Sequence, residues 1–86
     1  MKQITVQLFG AFSELTPSRE IAVLTHGEHI ADLRSALREL IAQRWPQFRA
    51  GLLDYSAFAD EYRVLRDNEP LPENGRVAIL PPVSGG

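Results

Sequence analysis

One amphipathic helix is predicted in the middle of the chain, and the other regular segments are typical of strands. Apolar residues recur at helical spacing from about Ile30 to Arg44, whereas Arg34 and Arg38 lie off their stripe. A chain of 86 residues makes one small domain, so the strand segments are the partners available to cover the stripe. We therefore expect a helix across one face of a mixed sheet. The stripe consists of Ile30, Leu33, Leu37, Leu40 and Ile41.

The sequence also marks the ends of this helix. Asp32 in the first turn suits the positive end of the helix dipole, and Arg44 in the last turn suits the negative end. Trp45 precedes a proline and is therefore disfavoured in helical conformation, so the helix should end there. His29 is a possible N-cap residue, although serine or aspartate serve better. We interpret 26–29, which holds two histidines and one glutamate, as a surface turn and not as a metal site.

Three strands are predicted from local patterns. The first surrounds the alternating apolar residues Ile4, Val6 and Leu8, the second covers Glu20–Thr25, and the last covers Arg76–Leu80. The last four residues of the final strand are all apolar, which favours a central strand covered on both faces.

The segment from Ser56 to Arg66 admits two interpretations. One is a short strand Ser56–Ala59, a turn at Asp60-Glu61 and a second strand Tyr62–Leu65, which we favour. The other is a single strand Glu61–Arg66. The connection 47–55 carries Phe48, Leu52 and Leu53, which we expect to pack at the margin of the core.

Composition excludes several classes of function. The sequence has no cysteine, so thiol chemistry, disulfides and cysteine metal clusters are impossible within it. A net charge of −2 argues against a nucleic-acid partner, which would require a basic face. No apolar run is long enough for a membrane span, and the first residues enter a strand without space for a signal peptide. We expect a cytoplasmic protein that works without nucleic acid or membrane. Asp54, Asp60, Glu61 and Asp67 form a scattered acidic set, which is typical of solvated surface or of contact with a basic partner.

The sequence finishes in Pro81, Pro82, Val83, Ser84, Gly85 and Gly86. The prolines cannot continue a ladder and favour an extended exit, and the glycines lack Cβ atoms and can enter a narrow channel. We therefore divide the chain into a folded domain, 1–80, and a flexible tail, 81–86. The carboxylate of Gly86 is an unhindered group that an ATP-using enzyme can convert to an acyl-adenylate. A sulfur donor can then convert that adenylate to a thiocarboxylate.

The tail also carries a resemblance to a known family. Residues 77–86 resemble the end of the small subunit of molybdopterin synthase, in the MoaD/ThiS family of ubiquitin-like sulfur carriers. Residues 8–15, Leu33-Arg34 and the turn 73–75 are also similar to that family. The chain departs from it at 59–61, where an Ala-Asp-Glu sequence replaces a common Val-Asn pair.

The resemblance implies a ubiquitin-like β-grasp fold of the α+β class, and a carrier that is not an enzyme on its own. An E1-like adenylating enzyme would use ATP to activate Gly86, and a sulfur donor protein would form the thiocarboxylate. On the large synthase subunit, the carrier would then donate its sulfur to a pterin precursor, forming the dithiolene that holds molybdenum in the molybdenum cofactor. The carrier itself would bind no cofactor and no metal. The tail residues before Gly86 would be inserted into these partners. Docking would use an apolar patch on the exposed sheet face, at the matching positions Phe9, Val64 and Leu80.

Three alternatives remain open from the sequence. The same carboxylate could serve thiazole or cysteine synthesis, although the Pro-Pro-Val-Ser tail favours the molybdopterin pathway. The chain could also be a ubiquitin-like modifier that is joined through Gly86 to lysines of target proteins. A non-covalent binding module with an inert tail is the remaining alternative.

Overall fold

The computed structural model describes residues 1–82 of the chain, together with every side chain among them except that of Ala50. Two short 3₁₀ helices, Gly10–Glu14 and Ala50–Tyr55, accompany the main elements. The helix and the strands are β1 (Lys2–Leu8), β2 (Glu20–Thr25), α1 (Ile30–Arg44), β3 (Ala57–Ala59), β4 (Val64–Leu65) and β5 (Arg76–Leu80).

The five strands form one mixed sheet in the order β2-β1-β5-β3-β4. The first and last strands are parallel neighbours at its centre, and the other pairs are antiparallel. Helix α1 packs across one face of this sheet. The arrangement is the β-grasp fold, and it confirms the fold class predicted from the sequence.

The core lies between α1 and the facing side of the sheet. Every second residue of the long strands is buried, beginning with Ile4, Val6 and Leu8 of β1. In β5 the same alternation buries Val77 and Ile79. The helix contributes four fully buried side chains of its predicted stripe, namely Ile30, Leu33, Leu37 and Ile41.

The prediction that β5 is covered on both faces is wrong. Ala78 and Leu80 point away from the helix and remain partly exposed. The helix covers only one face of the sheet, so an apolar run in its central strand leaves apolar side chains on the other face. This exposed apolar surface lies beside the start of the tail.

The segment from Ser56 to Arg66 adopts the favoured two-strand arrangement, and the single-strand alternative is wrong. The strands are shorter than predicted, because β3 begins at Ala57 and Tyr62 belongs to the turn. Phe58 pairs with Leu65 across the two strands, and both side chains are buried. The register that the sequence left open is therefore determined by these two core residues.

The two 3₁₀ helices carry apolar residues into the core. Phe12, from the first, is fully buried, and its ring centroid lies 5.4 Å from that of Phe48. Leu53, from the second, is fully buried as well, whereas Phe48 and Leu52 are partly buried against the core. The predicted packing of the 47–55 connection is confirmed, and it reaches deeper than the margin of the core.

The turn before α1 is built around one carboxylate. Asp32 accepts a hydrogen bond from the backbone N–H of His29, the N-cap residue, at 3.1 Å. Gly27 lies directly against the same side chain, since a Cβ atom at position 27 would come within 2.0 Å of Asp32 Cγ. These contacts agree with the interpretation of 26–29 as a surface turn. Within residues 1–82, no three histidine, aspartate or glutamate side chains are grouped to hold a metal ion.

Arg34 joins α1 to the second half of the chain. Its guanidinium donates to the backbone oxygens of Leu53 and Ser56, the latter at 2.9 Å, and to Asp67 Oδ1 at 2.9 and 3.2 Å. It also lies over the Phe58 ring, 5.1 Å from its centroid, where a cation–π attraction adds to the hydrogen bonds. Only 15% of the Arg34 side chain is exposed. A residue outside the apolar stripe thus connects the helix, the second 3₁₀ helix and β3.

Candidate functional site

The sheet face opposite α1 carries the predicted docking residues. Leu80 pairs with Ala57, and Val64 pairs with Ala59, so these residues share that face in two adjacent rows. Phe9 follows directly after Leu8, which pairs with Ile79, and its extended backbone (φ −124°, ψ 158°) places it beside Leu80. The structure thus brings the three predicted positions onto one face.

The exposed surface between these residues is apolar and shallow. Phe9 is 42% exposed and Val64 is 55% exposed, whereas Leu80 is partly buried. Between them lie alanines at 57, 59 and 78, whose small side chains leave a shallow floor. These alanines were not among the predicted docking positions, although each alternates with a buried residue of β3 or β5. We define the apolar patch as Phe9, Ala57, Ala59, Val64, Ala78 and Leu80.

A depression of about 270 Å³ adjoins the apolar patch and has a polar rim. Its apolar part is formed by Phe9, Ala59, Val77 and Ala78. The rim is contributed by Gln7, Asp60, Glu61, Asn74 and Arg76. Two residues of the predicted acidic set therefore border the patch. The other two, Asp54 and Asp67, pair instead with arginines of α1.

Asp60 holds the turn between β3 and β4. Its Oδ1 accepts the backbone N–H groups of Tyr62 at 2.8 Å and Arg63 at 2.9 Å. The Tyr62 N–H bond is the larger cause of a lowered pKa for the Asp60 carboxyl, and the Arg63 N–H bond adds to it. The pKa of Glu69 is also lowered, chiefly by the backbone N–H of Arg66 and then by the Arg63 side chain. The turn therefore presents a fixed negative charge beside the apolar patch at neutral pH.

Acidification should reveal this role of Asp60. Because folding lowers the pKa of the Asp60 carboxyl, the carboxylate stabilises the turn at any pH above its ordinary pKa of 3.8. This contribution to stability is lost as the pH falls through the lower pKa of the folded state. In an NMR titration, the Asp60 carboxyl carbon and the Tyr62 and Arg63 amides should share a midpoint below 3.8. In Asp60→Asn the common transition of the two amides should disappear. A carboxyl midpoint at or above the value of an unfolded peptide would contradict the proposed hydrogen bonds.

The tail begins at the same end of the sheet as the patch. Pro81 follows Leu80 directly and packs on Gly10, which has a positive φ of 58°. A Cβ atom on Gly10 would lie 2.4 Å from Pro81 Cγ, so the proline ring occupies the space that a side chain would need. Pro82 is exposed. The other predicted tail residues, Val83, Ser84, Gly85 and Gly86, lie outside the described residues.

The comparison with protein families decides the class of this protein. The model of the ThiS family matches residues 6–86. The chain belongs to the ThiS family. It is therefore a ubiquitin-like protein of the sulfur-carrier class, and small carriers of this kind are generally not enzymes themselves. ThiS-family carriers generally work with E1-like activating enzymes and sulfur-transfer partners.

Comparison with solved structures supports the fold. The crystal structure of SAMP1 from Haloferax volcanii is similar, with a TM-score of 0.69 and 22% sequence identity. The alignment covers 99% of this chain and 100% of that chain. Among curated proteins, none matches the sequence. In the part of the chain that the structure describes, no helix has the length and apolar character that crossing a membrane requires.

Proposed function

We propose that this protein is the small, sulfur-carrying subunit of a molybdopterin synthase, and that it carries sulfur on the carboxylate of Gly86. The observation that carries the sulfur-carrier part of this proposal is the ThiS-family match, which extends through Gly86. It is supported by the apolar patch, which adjoins the start of the tail. The similarity of residues 77–86 to the small synthase subunits favours the molybdopterin pathway over the other sulfur-carrier pathways.

The proposed cycle needs chemistry at one atom of this chain. An E1-like enzyme joins the Gly86 carboxylate to the AMP portion of ATP, and pyrophosphate leaves. Sulfur at the oxidation level of sulfide, delivered by a sulfur donor protein, then attacks the acyl carbon, AMP leaves, and the thiocarboxylate remains. In the large synthase subunit, the thiocarboxylate sulfur forms a bond to a carbon of a pterin precursor and displaces an oxygen substituent from that carbon. Water then cleaves the acyl–sulfur bond and restores the carboxylate. Glycine at the last position leaves the acyl carbon open to attack from the side, because it has no Cβ.

The apolar patch is the proposed docking surface for both the large subunit and the activating enzyme. Burial of Phe9, Val64 and Leu80 would remove exposed apolar side chains from water, which is the main driving force for association. The carboxylates of Asp60 and Glu61 at the edge favour a partner with basic residues around an apolar centre. Such complementarity increases the association rate more than the final affinity.

Leu80→Glu should weaken docking to the large subunit. The substitution places a charge at the junction of the patch and the tail, where it would be buried in the complex. We expect the dissociation constant to rise by at least about tenfold, since an interface charge without a partner costs more than 1.4 kcal/mol.

Calorimetric titration of the large subunit measures this effect. Leu24→Glu is the matched control, because Leu24 is an exposed leucine of β2, 59% accessible and outside the patch. Equal affinities for Leu80→Glu and the unaltered protein would remove Leu80 from the interface.

Reconstitution tests the proposed function as a whole. The chain is incubated with ATP, an E1-like enzyme and a sulfur donor, and the thiocarboxylate is then offered to a large synthase subunit with pterin precursor. Dithiolene formation with regeneration of the carboxylate supports the proposal. Sulfur transfer only to a thiazole or cysteine synthesis system would assign the chain to that pathway instead.

Conjugation to lysines would identify a protein modifier. Lys2 is the only lysine of this sequence, so Lys2→Arg removes every lysine side chain from the carrier without changing its charge. Isopeptide-linked products formed by this variant in cell extract must join Gly86 to other proteins. Their appearance, in the absence of any sulfur transfer to a small molecule, would overturn the carrier function.

A further inference from the structure

We propose that Gly10 is a positioning residue for the reaction at Gly86, because it provides the seat on which Pro81 fixes the direction of the tail. This inference rests on the proposed function, in which the tail carries the reacting group. It concerns a contact between the end of β1 and the residue after β5. We call the contact between Gly10 and the Pro81 ring the tail seat.

The geometry of the tail seat leaves no room for a side chain. A Cβ atom on Gly10 would lie 2.4 Å from Cγ, 3.2 Å from Cδ and 3.6 Å from Cβ of Pro81. The first of these distances is shorter than any that packed carbon atoms adopt. Gly10 also has a φ of 58°, a conformation that disfavours residues with a Cβ. Two independent features therefore require glycine at this position.

The Gly10 side of the seat is held by hydrogen bonds. The Gly10 carbonyl accepts the Ser13 hydroxyl at 2.7 Å, and the Phe9 carbonyl accepts the Phe12 N–H at 3.1 Å. Phe12 is fully buried, so the 3₁₀ helix that begins at Gly10 is anchored in the core. Gly10 and Pro81 each lie two positions after the last residues that pair between β1 and β5, which are Leu8 and Ile79. The seat is thus built on the central strands of the sheet.

The Pro81 side of the seat depends on packing. Proline has no backbone N–H, so Pro81 cannot extend the ladder of β5, and its φ is fixed near −65°. The ring contact with Gly10 therefore replaces a strand hydrogen bond as the restraint on the chain at this point. Pro82 is already exposed. The direction in which the chain leaves the folded domain is consequently set at Pro81.

This restraint matters because one partner must hold both the apolar patch and the acyl carbon of Gly86. Four residues lie between Pro81 and Gly86 in sequence, so the tail is short, and a shift of Pro81 relative to the apolar patch changes the position from which the tail must reach the site of the activating enzyme. A misplacement of about 1 Å can reduce a reaction rate by up to about 100-fold. A disturbed seat should therefore slow adenylation without weakening docking, since none of the six patch residues is replaced.

Adenylation kinetics with the full chain and its activating enzyme test the seat. Gly10→Ala is expected to lower kcat for ATP–pyrophosphate exchange by about tenfold with an unchanged Kd for the activating enzyme. Gly75→Ala is the matched control, because Gly75 also has a positive φ, of 69°, but a Cβ there would meet only the Gln3 carbonyl oxygen at 3.3 Å. Both variants should lose thermal stability, and only Gly10→Ala should lose kcat.

A double-substitution cycle separates the seat from general strain. Pro81→Ala removes the ring. Gly10→Ala should therefore lower kcat much less in the Pro81→Ala background than in the unaltered protein. In the unaltered protein, NMR should show nuclear Overhauser effects between the Gly10 α protons and the Pro81 ring protons. Additive losses in the cycle, or absence of these effects, would overturn the seat.

The outcome also distinguishes this inference from the proposed function. Failure of the activating enzyme to adenylate the unaltered chain would overturn the proposed function itself. Normal adenylation of the unaltered chain together with an equal kcat for Gly10→Ala would overturn only the positioning role.

Discussion

Deletion of Gly86 is expected to abolish thiocarboxylate formation completely and to leave the melting temperature unchanged. In the described part of the chain, the last core residue in sequence is Ile79, seven positions before Gly86. Removal of the terminal residue therefore leaves the core contacts intact and eliminates the proposed acyl group. Intact mass measured after incubation with ATP, an activating enzyme and a sulfur donor should show no exchange of oxygen for sulfur.

Two further variants sharpen this result. One residue added after Gly86 should be equally inactive, because the carboxylate is then displaced and the glycine carbonyl becomes an amide. Gly86→Ala should retain partial activity, since it keeps the carboxylate and only adds a methyl group beside the acyl carbon. Cofactor synthesis supported by the shortened chain would show that Gly86 does not carry the sulfur.

The elements governed by local patterns could be predicted to the residue. The bounds of α1, Ile30–Arg44, and of β2, Glu20–Thr25, agree with the sequence interpretation. Both depend on short-range features, namely the periodicity of apolar residues and the proline that follows Trp45. The ambiguity at Ser56–Arg66 had a different origin, because it was decided by the pairing of Phe58 with Leu65 from another strand.

What the sequence did not reveal depends on contacts between distant segments. The 3₁₀ helix at Gly10–Glu14 contains one buried residue, Phe12, and a single apolar residue has no periodicity to detect. The apolar run of β5 predicted a strand covered on both faces. Such a run does not show how many layers pack on the sheet, and the structure covers only one face. The proposed docking positions come from the family resemblance, whereas their common face follows only from the strand register.

The tail seat illustrates the same limit at the site itself. A glycine after a strand and a proline after another strand are both ordinary turn features in sequence. The contact between them follows only from the pairing of β1 with β5, which brings Gly10 against Pro81. The pairing of the first and last strands thus places the apolar patch next to the start of the tail.

Arg34→Met is expected to lower the free energy of unfolding by about 3 kcal/mol, because it removes the donor for two backbone oxygens and for Asp67. Leu53 and Ser56, which provide those oxygens, are both buried, so water cannot freely replace the guanidinium. Asp67 is 56% exposed and contributes less, and Asp67→Ala should cost only about 1 kcal/mol. A domain of 86 residues has a total stability of about 4 to 13 kcal/mol, so loss of Arg34 removes a large share.

Urea unfolding of Arg34→Met and Arg38→Met side by side tests this role. Arg38 lies one turn further along α1 and pairs with Asp54, but 45% of its side chain and 54% of that of Asp54 are exposed. An exposed pair of this kind contributes at most about 1 kcal/mol, so Arg38→Met should be nearly neutral. The two variants lose the same charge from the same helix, and the difference between their unfolding free energies isolates the buried contacts of Arg34. Equal losses would show that those contacts contribute nothing beyond an exposed ion pair.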